Sequence, residues 1–132
     1  MAGQAHWRTW DLTGLTVTQL RFDYSFTIHI WSGERELRIL LGSPFVLRSP
    51  SGERQVMDPE QDCTLAPLLP LLHRPVASFA ASSEGRCVLR FEDGTEIQAA
   101  PDPSYEAWEA AGGGELSDLQ LLCGPGGGSP WG

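Results

Sequence analysis

Apolar and polar residues alternate with a period of two along most of the chain, which predicts a protein built of β-strands. The clearest case is residues 87–99. Cys87, Leu89 and Phe91 alternate with Val88, Arg90 and Glu92, and Thr95, Ile97 and Ala99 alternate on the return. A two-residue Asp93-Gly94 loop would set Phe91 opposite Glu96 and Ile97 opposite Arg90, mixing the faces. A three-residue Glu92-Asp93-Gly94 loop sets Leu89 opposite Ile97, Phe91 opposite Thr95 and Arg90 opposite Glu96. That register leaves one apolar face and a cross-strand ion pair on the other. Gly94 suits the left-handed position such a loop needs, so the three-residue loop is expected.

Residues 1–11 read as a loose lead-in, with Trp7 and Trp10 tucking back onto the body. Leu15, Val17 and Gln19 begin the β pattern, and residues 24–30 alternate cleanly as a half-buried strand. Ser32-Gly33 as a two-residue loop would set Ile28 opposite Leu37, Phe26 opposite Ile39 and Tyr24 opposite Leu41. His29 would then face Glu36 on the outer side. In a third hairpin, Phe45, Leu47 and Ser49 lead to Pro50-Ser51-Gly52, and Gln55-Val56-Met57 return with Val56 facing Leu47. Residues 62–72 are the helix candidate, with Thr64 as cap and Leu65, Leu68, Leu69 and Leu72 at helical spacing. Pro67 suits a first turn and Pro70 does not suit a helix interior, which predicts a short, kinked or partly 3₁₀ segment.

The opening pattern then recurs. Residues 74–80 resemble residues 14–18, Ile28 and Ile30 correspond to Leu89 and Phe91, Gly33 to Gly94, and Leu37 to Ile97. Two copies are too few for a solenoid, so a strand-plus-hairpin unit on either side of one short helix fits. Chance likeness of two common hairpins is the competing account. Residues 105–110 have two readings. Asp102 as cap with Pro103 at the first helical position would start a single helical turn. Alternatively they form a short strand pairing with residues 119–123 across Gly112-Gly113-Gly114. So few residues between a proline and a glycine run favour the strand. The Gly-rich tail is flexible in composition, with Trp131 as an anchor.

A chain of 132 residues is one domain, with an ordered core over about residues 12–124 between the lead-in and the tail. The expected fold is α+β: a mostly antiparallel curved sheet of roughly eight strands, forming a small barrel or sandwich, with one short helix. All nine basic residues are arginine. Coding bias explains that unless the arginines cluster for bidentate contacts, and no clustering is visible along the chain. The net charge of −8 repels phosphates, so no nucleic-acid partner is expected. It suits solubility and, functionally, steering towards a basic protein partner. The N-terminus has no apolar signal-peptide core, and the apolar stretch at residues 65–72 is short and carries two prolines. No membrane association and a cytoplasmic location follow as expectations. Three cysteines, Cys63, Cys87 and Cys123, without a CxxC pair fit free thiols in a reducing compartment.

Candidate chemistry is sparse. His29 opposite Glu36 is the polar pair with acid–base potential, and an ordinary solvated cross-strand pair is its simpler reading. His73 at the helix end complements the helix dipole. Cys63 and His73 lack a second ligand pair, so no metal site is expected. Cys87 lies on the core face of its strand, where thiols are inert, and no catalytic residue is assigned. The glycine runs lack a Walker ending and a GxGxxG between strand and helix, so no cofactor is expected. Tyr105 and Trp108, flanked by Glu106 and Glu109, are the candidate binding residues of an interface hot spot. Packing at the core edge is the plainer account of the two aromatics.

The stretch LRFEDGTEIQAAPDPSYEAW resembles a family of small uncharacterised actinobacterial proteins, a domain of unknown function. The resemblance rests on Asp93-Gly94, on Tyr105-Glu106-Ala107-Trp108, and on the Cys-x-Pro-Gly-Gly ending at Cys123-Gly124-Pro125-Gly126-Gly127 with Trp131. It covers the chain from about Leu15. Ser129-Pro130 departs from it, standing where apolar residues precede the last Trp, which removes the basis for a final strand there. The resemblance implies an origin and a fold and carries over no catalytic residue. Small bacterial immunity proteins share the size, acidity and β-richness. The favoured function is a non-enzymatic cytoplasmic protein-binding module, and the analogy adds an immunity-like form of it that masks a basic partner. The alternative is a small-ligand binder or enzyme with a site in the sheet interior.

Overall fold

The computed structural model describes residues 5–61 and 64–131. Among the described residues there are eleven strands: β1 Trp7–Asp11, β2 Val17–Phe22, β3 Phe26–Ser32, β4 Arg35–Leu41, β5 Phe45–Arg48, β6 Arg54–Met57, β7 Val76–Ser82, β8 Cys87–Phe91, β9 Glu96–Ala99, β10 Trp108–Gly114 and β11 Gln120–Cys123. They form a six-stranded sheet, β1-β7-β8-β9-β5-β6, and a five-stranded sheet, β11-β10-β4-β3-β2, with antiparallel pairing throughout. Neither sheet closes into a barrel. Their inner faces share one apolar core. Phe26 of the smaller sheet stacks on Phe45 of the larger at 5.7 Å, and Phe79 of the larger meets Trp108 of the smaller edge-on at 6.0 Å. Such aromatic pairs join the layers by area and by quadrupole geometry together.

The chain divides into two alike halves. Strands β2-β3-β4 make a meander followed by the hairpin β5-β6, and β7-β8-β9 make a meander followed by the hairpin β10-β11. Each hairpin joins the meander of the other half, β5 beside β9 and β10 beside β4. The segments leading into the halves are bridged at Thr16 and Pro75. Both meanders open with a register irregularity at matching places, Val17/Gln19 and Val76/Ser78. The recurrence in the sequence is therefore a recurrence of structure, and β1 is an added edge strand.

The β8–β9 hairpin has the expected register. Leu89 lies opposite Ile97 and Arg90 opposite Glu96, while Gly94 at φ +97° closes the three-residue loop. The other registers differ. In β3–β4, Ile28 faces Ile39 and Ile30 faces Leu37, two residues from the expected pairing, because the loop is Gly33-Glu34. Gly33 takes φ +58° at the first loop position, where a type II′ hairpin requires it. In β5–β6, Val56 faces Val46 and Leu47 faces Gln55. That one-residue slip turns Val56 outward, leaving it 67% exposed, and Met57 inward.

The helix content is also lower than an α+β fold implies. Among the described residues the helix is 3₁₀, Ala66–Leu71, with Pro70 inside it, and Asp62 and Cys63 lie outside the described residues. Three residues per turn bury Leu65, Leu68 and Leu71 on one side and expose Leu69 and Leu72, replacing the α-helical stripe. Thr64 bonds Asp58 and Gln61 rather than capping the helix. Residues 7–11 are an edge strand on β7, not a loose lead-in, and Trp10 packs on Phe79. The glycine run belongs to β10, because Gly112-Gly113-Gly114 pair with residues 35–37 of β4. Trp131 is partly buried against the core and holds the tail.

Candidate functional site

After β9, Pro101 and Pro103 break the strand and Asp102 organises the loop. Its Oδ1 accepts the backbone N–H of Ser104 at 2.8 Å and of Tyr105 at 3.1 Å. Its Oδ2 accepts the Ser43 hydroxyl at 3.4 Å, and its carbonyl accepts the N–H of Gly126 at 2.7 Å. A carboxylate bonded to backbone two residues on is an Asx turn, and it fixes the chain direction here. Tyr105 is thereby held outward, 71% exposed, with Glu106 and Glu109 also exposed.

Trp108 turns the other way. It is 1% exposed, and its Nε1 donates to the Gly85 carbonyl at 2.8 Å. The four candidate residues are thus split, with Tyr105, Glu106 and Glu109 on the surface and Trp108 in the core. Strand alternation is the cause: β10 starts at Trp108, so 108 and 110 point inward and 109 outward. An exposed hot spot containing Trp108 is ruled out by its burial.

The outer face of the five-stranded sheet carries the second candidate pair. His29 lies opposite Arg38, yet its Nε2 is 2.9 Å from Oε1 of Glu36. Glu36 is the diagonal neighbour on β4, and long side chains span that gap. The contact expected from the sequence is present although the expected register is not. Two shallow depressions of about 180 and 130 Å³ share Arg21, Thr27 and Arg38. Gln19, His29 and Glu36 complete one, and Leu40, Glu109 and Ala111 the other. Neither arginine enters an ion pair among the described residues. The thiols of Cys87 and Cys123 are in the core, both pushed up by burial, and are not nucleophiles for this furrow.

Sheet order brings together residues that look scattered along the chain. Arg54 lies opposite Arg48, Arg48 opposite Glu96 and Glu96 opposite Arg90, a straight row over β6, β5, β9 and β8. Arg90 Nε is 2.9 Å from Glu96 Oε2, Arg48 stands at 3.9 Å from Oε1, and Arg54 donates to Gln98 at 3.3 Å. Burial alone would raise the Glu96 carboxyl, but hydrogen bonds from Gln98 and Arg90 and the charges of Arg90 and Arg48 outweigh it and hold it low. The clustering of arginines absent from the linear sequence is present in space.

The sequence model of a family of unknown function, DUF6188, matches residues 8–132. The chain belongs to that family. No curated protein and no solved structure matches it. The DUF6188 match runs from the edge strand β1 through both sheets to the tail, so the three surfaces above fall within it. Among the described residues of this DUF6188 chain, no three His, Cys, Asp or Glu side chains converge as a metal site. No helix among them is long and apolar enough to cross a membrane. Cys63, half of the weighed Cys63–His73 pair, lies outside the described residues, and His73 is exposed beyond the 3₁₀ helix.

Proposed function

We propose that this DUF6188 chain is a non-enzymatic protein-binding module that engages a basic partner through the shoulder of Tyr105, Glu106 and Glu109. The observation that carries the reading is the Asp102-pinned loop, which holds a large aromatic outward before any partner arrives. A preset tyrosine loses little freedom on binding and buries a large area. The flanking carboxylates complement cations at the rim of such a contact, and a net charge of −8 steers a basic protein towards it. Masking a basic partner is the immunity-like form of this activity. The two buried free thiols, Cys87 and Cys123, support a reducing compartment such as the cytoplasm.

A ligand site between the sheets has weaker support. The inner faces meet in continuous apolar packing, and no buried side-chain nitrogen or oxygen among the described residues lacks a partner. Interior binding sites depend on convergent polar groups that such packing does not offer. The test is cross-linked affinity capture from native extract with the wild type and with Tyr105→Ala/Glu106→Gln/Glu109→Gln. A basic protein enriched by the wild type should fall about tenfold with the variant, while circular dichroism and Tm stay unchanged. Equal capture by both proteins overturns the reading.

A further inference from the structure

The larger sheet turns a different chemistry to solvent. Its outer face carries the row Arg54, Arg48, Glu96, Arg90, and beside it a second row, Val56, Val46, Gln98, Val88, Ala80. Strands lie about 4.8 Å apart, so the arginine row spans roughly 15 Å in a line. Arg48 and Arg54 are directly opposite each other, and like charges so placed repel. The carboxylate in their row is already engaged: Glu96 is bonded by Arg90 and by Gln98. Arg54 has the neutral Gln98 amide oxygen and, among the described residues, no ion pair. Arg86 is exposed and joins Arg54, Val46, Val56 and Gln98 around a depression of about 280 Å³. A chain with 17 acidic residues against nine arginines thus sets three arginines against one carboxylate in this row.

We propose that the outer face of the six-stranded sheet is a docking surface for an acidic protein segment, an extended strand whose carboxylates pair with Arg48 and Arg54. The occupant follows from charge and shape. Guanidinium groups bind carboxylates bidentately, and two additional carboxylates would relieve the Arg48–Arg54 repulsion and leave the row balanced. The neighbouring Val56–Val46 row offers apolar contact to the alternate side chains of an extended peptide, with Val56 protruding from the edge strand. A polyphosphate chain fits less well, because it has no apolar side chains to lay on the Val56–Val46 row beside the arginines. The surface lies on the other layer from Glu109 and does not depend on the Tyr105 shoulder.

The test uses a fluorescein-labelled decapeptide of alternating Glu and Leu, with a Gln/Leu decapeptide and a single-stranded oligothymidylate of similar length as controls. Fluorescence anisotropy should show binding of the acidic peptide that weakens as salt is raised, with little binding of either control. Arg48→Ala/Arg54→Ala should weaken it about tenfold, whereas Arg21→Ala/Arg38→Ala on the other sheet, the same change of charge, should leave it within about twofold. Arg54→Glu reports without ligand. It replaces a repulsive pair by an attractive one, so it should raise Tm by about 1–3 °C while abolishing peptide binding. Equal loss from both double variants, comparable binding of the oligothymidylate, binding of the Gln/Leu peptide, or a lowered Tm for Arg54→Glu each overturns the proposal. So does self-association of the chain in sedimentation that the Arg48/Arg54 variant abolishes without any peptide binding by the wild type.

Discussion

Removing the Trp108 side chain tests whether it is a structural or a recognition residue. Its indole is 1% exposed, lies edge-on to Phe79 with centroids 6.0 Å apart, and donates to the Gly85 carbonyl at 2.8 Å. Trp108→Ala removes that packing and leaves a cavity between the sheets, at a cost of about 3–5 kcal/mol. Against a total stability of roughly 5–15 kcal/mol for a domain, the loss is a large fraction. Trp108→Phe keeps a ring beside Phe79 and deletes the N–H donor. The Gly85 carbonyl then retains the Cys123 thiol, a weak donor at 3.3 Å, so this variant should lose only about 1–2 kcal/mol. Urea unfolding followed by circular dichroism gives both numbers, provided the m-values match the wild type. A cooperative Trp108→Ala protein within about 1 kcal/mol of wild type would refute the assignment of Trp108 to the core.

Two further predictions concern the backbone and pH. A Cβ on Gly112 would lie 2.0 Å from the Leu116 carbonyl oxygen, so Gly112→Ala should cost about 2–3 kcal/mol. Gly113→Ala, whose nearest neighbour is the movable Glu36 carboxylate at 3.3 Å, should stay within about 0.5 kcal/mol, and urea unfolding of the pair separates them. The backbone N–H of Thr95, and then the Thr95 hydroxyl and Arg74, hold the Asp93 carboxyl below its ordinary value of 3.8 despite some burial. A depressed folded value contributes stability above 3.8 that is lost as pH falls through the folded value. Asp93→Asn should therefore lower Tm near neutrality and flatten its decline below about pH 4; parallel Tm curves for the two proteins over that acid range would count against it.

The sequence made some of this legible and left the rest to pairings it cannot specify. The β8–β9 register could be read because only one loop length puts Leu89 and Ile97 on one face and Arg90 beside Glu96. The β3–β4 register could not, since a shift of two residues leaves every side chain on the same face and only the loop conformation at Gly33 decides. The leucines at 65–72 looked α-helical because their spacing suits both periods, and the two prolines tip the backbone to three residues per turn. Edge strand β1 carries no period-two signal, since its two tryptophans, Trp7 and Trp10, stand three residues apart. Tyr105 was legible as a candidate while its division from Trp108 was not, as it depends on where β10 begins. The arginine row was legible only in part. The Arg90–Glu96 pair is legible in its hairpin, whereas Arg48 and Arg54 join it only through the β5–β6 register and the pairing of β5 with the distant β9.

The exchange of hairpins between halves has a consequence for how the chain is made. Neither half contains a complete layer, so the first half, on emerging from a ribosome, bears a meander and a hairpin that have no mutual pairing partners. Their edges stay unmatched until β9 and β10 arrive to cover them. Assembly of this kind depends on distant segments meeting, which places folding among the slower, millisecond-to-second class and exposes bare strand edges meanwhile. The same interdependence makes the segment between the two halves, around the 3₁₀ helix, a natural place to cut. Two fragments divided there would each be unfolded alone and regain structure only on recombination, the behaviour required of a split reporter.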